Sequence, residues 1–130
     1  MKRKGLFARE IVITVFLIIL LSVLCIQKIK DLKIMAQESI SIKNEQIIQE
    51  ALAVYRGDNE GLCPVHLSAL KGDYLEDIPM NYTNGIPSNA IREGFKVEDI
   101  FDGTGGWLYV NDIEDKATCD VIPNTKGRNR

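Results

Sequence analysis

Before Pro64 the chain has no proline, and from Leu6 to Arg56 it has no glycine. Nothing in that stretch predicts a break or a kink in a helix. Histidine is scarce: His66 is alone, and although Cys63-Pro64-Val65-His66 offers two metal-type ligands, a zinc site needs three or four. The three cysteines form no C-x-x-C pair, which excludes a thioredoxin-like site and a paired zinc knuckle. Charge of one sign is not in excess: the formal net charge is −2, which excludes a general nucleic-acid binder, and the basic tail from Lys126 is short and terminal. No phosphate-binding glycine loop, internal repeat or low-complexity tract occurs. No A-x-A pattern follows the long apolar run, so a cleaved secretory signal is disfavoured. A lipoprotein signal wants a small residue before its cysteine, and Leu24 stands before Cys25.

What the chain does have is one dominant stretch, Lys2 to Ile26. Lys2, Arg3 and Lys4 come first, then Gly5, then a mixed patch with Arg9 and Glu10. From Ile11 to Ile26 there is no charge, and only Thr14, Ser22 and Cys25 interrupt the apolar side chains. A helix through hydrocarbon needs about 20 mostly apolar residues, and residues 6–26 supply that length. The basic cluster is expected to stay in the cytoplasm, placing the C-terminal remainder outside. A plain signal anchor would give no reason for the carboxylate of Glu10, and an ionisable residue in a membrane segment is a functional hypothesis by default.

The order of residues in KRKG-LFARE-IVITV resembles the class III signal of type IV pilins and type II secretion pseudopilins. In that family a basic leader ends in glycine, a prepilin peptidase cuts after it on the cytoplasmic side, and the fifth residue of the mature chain is glutamate. The resemblance implies processing between Gly5 and Leu6, with Leu6 methylated and Glu10 as the mature fifth residue. The chain differs from the family's usual pattern at Leu6, commonly phenylalanine, and at Arg9, commonly apolar. A looser likeness continues through Asn44, Ile47, Ala51-Leu52, Tyr55, Asp58, Gly61, Pro64, Leu67, Leu70, Tyr74-Leu75 and Ile78-Pro79. Loss of Lys2, Arg3 and Lys4 leaves 13 basic against 18 acidic side chains, a net charge of −5.

The rest reads as follows. Ile29, Leu32, Ala36, Ile40, Ile47, Ala51 and Val54 recur at helical steps and predict an amphipathic continuation over 27–56, stopped at Gly57. One helix from Leu6 to Arg56 would be about 75 Å long at 1.5 Å per residue. A short helix or turn is expected from about Val65 to Lys71, and a tight turn at Asn84-Gly85. Strands are expected at Gly94–Val97, Gly106–Val110 and Ala117–Ile122, the last ended by Pro123. Asn81-Tyr82-Thr83 also fits a glycosylation triplet.

The expected architecture is therefore α+β and pilin-like. Residues 1–5 form a leader, 6–26 a transmembrane and assembly helix, and 27–56 its amphipathic half. Residues 57–130 form a small extracytoplasmic region whose antiparallel sheet packs on the stripe from Ile40 to Val54. Cys63 and Cys119 both fall in the exported part, where disulfides are permitted, and are expected to pair. Asp99 and Asp102, with the carbonyls of Gly103 to Gly106, are a weak calcium candidate against the simpler reading of a turn. No other cofactor and no catalytic site is expected.

The functional expectation is a non-enzymatic subunit of a filament in or on the inner membrane. It would be single-pass, with a cytoplasmic N-terminus and an extracytoplasmic C-terminal domain. Its expected partners are copies of itself, other pilins or pseudopilins, the prepilin peptidase and an inner-membrane assembly platform. Nucleic acid is not among them. The alternative is a plain membrane-anchored domain that binds an extracytoplasmic partner and has no filament role.

Overall fold

The computed structural model describes residues 2–83, 85–112 and 114–126, without the side chains of residues 2–4 and 6. The expected cation cluster, the side chain of Leu6, Asn84 of the expected turn and the tail beyond Lys126 lie outside what is described. Helix α1 spans Lys2–Asp58. The 3₁₀ turn Leu67–Leu70 follows, then β1 (Ile91–Gly94), a one-turn helix α2 (Val97–Ile100), β2 (Thr104–Asn111) and β3 (Cys119–Thr125). The chain divides into two compact units, Met1–Met35 and Ala36–Arg130.

In the first unit every side chain described is exposed, including the whole apolar run. This part of α1 is long and apolar enough to cross a membrane. Its small polar interruptions are satisfied internally. Thr14 Oγ1 donates to the Glu10 carbonyl at 2.8 Å and Ser22 Oγ donates to the Ile18 carbonyl at 2.7 Å.

The second unit is an α+β domain. Ile48, Ala51 and Leu52 of α1 meet Leu67, Leu70, Ile78, Trp107, Tyr109 and Val121 in one core. The buried face of the helix differs from the expected one. Ile40, Ile47 and Val54 are exposed, and of the stripe from Ile40 to Val54 only Ala51 is buried. The covered face runs instead through Ser41, Glu45, Ile48 and Leu52, turned by one residue, or about 100°. The reason lies in what packs on it. Loops with bare backbone groups need polar partners as well as apolar ones. Ser41 Oγ accepts the Tyr82 N–H at 2.8 Å, Asn44 Nδ2 donates to the Met80 carbonyl at 2.7 Å, and Gln49 Nε2 donates to the Val121 carbonyl at 3.0 Å. A purely apolar count of the helix could not find a face built this way.

The helix also runs past Gly57. Its C-terminal cap is formed further on, where Gly61 at φ 83° donates its N–H to the Arg56 carbonyl at 2.7 Å.

The sheet is mixed, not antiparallel, in the order β1-β2-β3. β2 and β3 are antiparallel, whereas β1 lies parallel to β2 with Ile91 opposite Trp107. The chain leaves β1 at Gly94 and returns through α2, so Val97, expected in a strand, starts a helical turn. Gly94 permits this return, because a side chain there would collide with Ile100. β3 starts at Cys119, two residues later than expected, and continues through Pro123, where the expected strand ends. Proline is tolerated on an edge strand or at a bulge, and here both apply. β3 is an edge, and its register with β2 shifts between Thr104 and Trp107.

Candidate functional site

Two regions carry the residues singled out above. The first is the start of α1. Gly5 is exposed, with open space where a side chain would stand. Arg9 and Glu10 follow on consecutive exposed positions of the helix. Among the described residues neither has an ion-pair partner in its own chain. With Thr14 and Ser22 satisfied by the backbone, Arg9 and Glu10 hold the charge of this segment between Phe7 and Ile26. A carboxylate at the edge of hydrocarbon without a partner is costly, and a cation from elsewhere would lower that cost. Cys25 is a free, exposed thiol in the same segment.

The second region is the distal end of the folded unit. A disulfide joins Cys63 and Cys119 across a sequence separation of 56. It ties the loop after α1 to the first residue of β3. The same loop is held three more ways. Cys63 donates its N–H to the Lys116 carbonyl at 2.8 Å, and the Pro64 carbonyl accepts from Tyr109 Oη at 2.6 Å and from Asn111 Nδ2 at 3.1 Å. Burial, followed by the nearby Glu93 carboxylate, pushes the Tyr109 hydroxyl above its ordinary value, so it remains a donor. His66, a lone loop histidine by sequence, sets Nδ1 2.6 Å from Glu93 Oε2, while Glu93 Oε1 accepts the Leu67 N–H at 2.9 Å. A groove of about 660 Å³ opens here, lined among others by Leu62, Val65, His66, Phe95 and Lys116.

Asp99 and Asp102 are not brought into a cation cage by the described residues. Asp99 is exposed in α2. Asp102 faces the Arg92 guanidinium with one oxygen. Its other oxygen accepts from Asn124 Nδ2 at 2.7 Å, Thr104 Oγ1 at 2.8 Å and the Thr104 N–H at 3.1 Å. These contacts hold its carboxyl down at about 2, the Asn124 hydrogen bond contributing most. Among the described residues no group of three or more His, Cys, Asp or Glu side chains is placed to share a metal. Asp102 is thus the acceptor of a network that pins the β1, β2 and β3 ends together.

Asn81 shows what sequence patterns miss. It is buried, with Nδ2 donating to the Gly106 carbonyl at 2.7 Å and Oδ1 accepting from the Thr83 N–H and hydroxyl. The triplet that fits a glycan acceptor is an Asx turn with its amide in use. Asn124, Arg92 and Glu93 were equally unmarked in the sequence. Only pairing across strands gives them partners.

Comparison with known proteins finds no match: no family model fits the chain, and no characterised sequence or solved structure is similar to it.

Proposed function

We propose that this chain is a structural subunit of a type IV pilus-like filament, a pilin or pseudopilin, trimmed after Gly5 and assembled through its apolar helix. The observation that carries the reading is the first unit of α1. It is an unbroken helix, exposed along its whole apolar run, with Glu10 the one carboxylate between Phe7 and Ile26 and Gly5 five residues before it. The mechanism is assembly: helices leave lipid for contact with one another, and the Glu10 carboxylate meets the new amine of a neighbouring Leu6, which sets the register. Arg9 offers a second cation and snorkels toward the cytoplasmic interface. The Cys63–Cys119 disulfide favours an extracytoplasmic second unit, since such bonds persist in oxidising compartments. Secretion by a type II system is the family context this proposal favours, in the inner membrane and with no catalytic role.

The test is processing. Co-expression with a prepilin peptidase should shorten the chain by the first five residues and leave Leu6 as a methylated N-terminus, read by intact mass. Gly5→Leu should block the cut. Glu10→Ala should leave insertion and cleavage intact but lower the amount of this subunit in sheared filaments at least about tenfold, the equivalent of about 1.4 kcal/mol, with Arg9→Ala milder. An uncut chain in its native host would overturn the proposal. It would favour the competing reading, a single-pass anchored binding domain, which the open groove at Val65 and Phe95 also suits.

A further inference from the structure

The stripe of α1 expected to hold the sheet stays exposed instead. Within the second unit, Ile40, Ile47 and Val54 are 46%, 37% and 56% exposed. They stand seven residues apart, and Ala36, Lys43 and Glu50 complete the same row. At about 100° per residue these six positions fall in a sector of about 80°. That sector lies about 140° round the helix from the buried Ile48 and Leu52. The spacing is that of a heptad seam, with Ile40, Ile47 and Val54 at a and Ala36, Lys43 and Glu50 at d. Lys43 and Glu50 are exposed, and among the described residues neither has an ion-pair partner in its own chain. They cannot pair with each other, because helix neighbours are three or four residues apart and one heptad is a rise of about 10.5 Å.

We infer that this seam takes the same seam of a second, parallel copy displaced by one heptad, so that Lys43 of one copy pairs with Glu50 of the next. Charge complementarity commits the seam to that occupant. In register, a parallel copy would set Lys43 against Lys43 and Glu50 against Glu50. Displaced by one heptad, every a position still meets an a position, Ile40 on Ile47 and Ile47 on Val54. Both repulsions are then replaced by one attraction between Lys43 and Glu50. Ala36 falls beside the other Lys43, where its small side chain leaves room for the lysine stem. No further charge competes for the register. The flanking e and g positions, Gln37, Ser39, Asn44, Gln46, Ala51 and Ala53, are all uncharged. Glu38 and Glu45 lie at f, on the side of the helix away from the seam. The chain thus supplies both members of the pair at the spacing that the displacement requires.

The two copies use different residues, so the contact is heterologous, and such contacts propagate as open filaments when they do not close into rings. Copies that share a common axis can each sit one heptad above the last. Six exposed positions make a weak interface alone. Copies gathered by their membrane helices meet at a high effective concentration, and a weak contact then suffices. The parallel direction of the partner rests on the filament reading, whereas the seam and its charge pattern do not.

The experiment uses the full chain in detergent, in a Cys25→Ala background, under mild oxidation and over a range of protein concentrations. Mixing Ile40→Cys chains with Ile47→Cys chains should give disulfide-linked dimers, and each variant alone should stay monomeric. Peptide mapping should place the link between the two introduced thiols, with Cys63 and Cys119 still joined as the readout of folding. Lys43→Glu in both chains should lower the dimer yield about tenfold, because an attraction becomes a repulsion. Glu50→Lys should do the same. Lys43→Glu together with Glu50→Lys should restore the link, a rescue that a merely structural role of either side chain would not give. Self-linking of either single-cysteine variant would overturn the inference in favour of an in-register contact. Undiminished linking by the charge-reversed chains would overturn the pairing of Lys43 with Glu50. A chain that is cut after Gly5 and found in filaments, yet gives no link at any concentration, would overturn this contact and leave the filament reading standing. A chain that its host leaves uncut, yet links and is rescued as described, would refute the filament reading and leave this contact in place.

Discussion

At the scale of single residues, two glycines that look alike in the sequence have opposite roles. Gly106 has φ 77°, and a side chain there would run into the Ala90 carbonyl, which accepts the Trp107 N–H at 2.8 Å. Gly106→Ala combines a left-handed backbone with a collision against backbone, and should cost at least about 2 kcal/mol. Gly57 lies within α1 with open space around it, so Gly57→Ala should stabilise by about 0.5 kcal/mol. Denaturant titration followed by the fluorescence of the single tryptophan, buried Trp107, separates the two. Asp102 is the other residue with a measurable signature. Its carboxyl is held at about 2, first by Asn124, then by Thr104 and Arg92. A carboxylate whose value falls on folding stabilises the folded state at pH above the ordinary value and loses that contribution as pH drops through the folded one. Stability should therefore hold above about pH 4, near the ordinary carboxylate value, and decline toward pH 2. Asp102→Asn should weaken the neutral-pH fold and flatten that decline, with the remainder left to Asp77 and Asp115, which are lowered too.

At the scale of elements, the face of α1 is the instructive case. The existence of the helix was legible without a structure, because no breaker stands between Leu6 and Arg56. Which face it buries was not. Ile40, Ile47 and Val54 are the more apolar choice, yet the covered row includes Ser41, Asn44 and Gln49, which bond to loop and strand backbone. Leu52→Ala and Ile48→Ala should each cost about 2–5 kcal/mol, whereas Ile47→Ala and Val54→Ala should stay within about 1 kcal/mol. Equal losses from both pairs, in the same fluorescence titration, would mean that the buried face is misassigned. The sheet gives a second case. The strands β2 and β3 were legible from apolar runs at Gly106–Val110 and Ala117–Ile122, but the strand expected at Gly94–Val97 shares only Gly94 with β1, because Val97 opens α2, and a single helical turn of Val-Glu-Asp-Ile has no periodicity long enough to read.

At the scale of the whole molecule, the disulfide does what the modest core cannot. It closes a separation of 56 residues between the loop after α1 and β3. The chain-entropy model assigns about 4 kcal/mol to such a closure. Reduction, or Cys63→Ser with Cys119→Ser, should lower the unfolding free energy of the second unit by roughly that amount. Membrane insertion of the first unit should be unaffected, because its stability comes from apolar transfer and not from this core.

The amino-acid sequence alone determined the long unbroken helix, its membrane-length apolar run and the α+β class. Each of these rests on a local property: the absence of breakers, the length of a run, a period. Only the tertiary structure decided the buried face of α1, the parallel direction of β1 and the partners of Asn81, Asp102 and Glu93. Those depend on which segments meet across gaps longer than one helical or strand repeat, from 10 residues between Arg92 and Asp102 to 45 between Pro64 and Tyr109. No pattern within a single helix or strand records such meetings, because the energy that selects them comes from both partners at once.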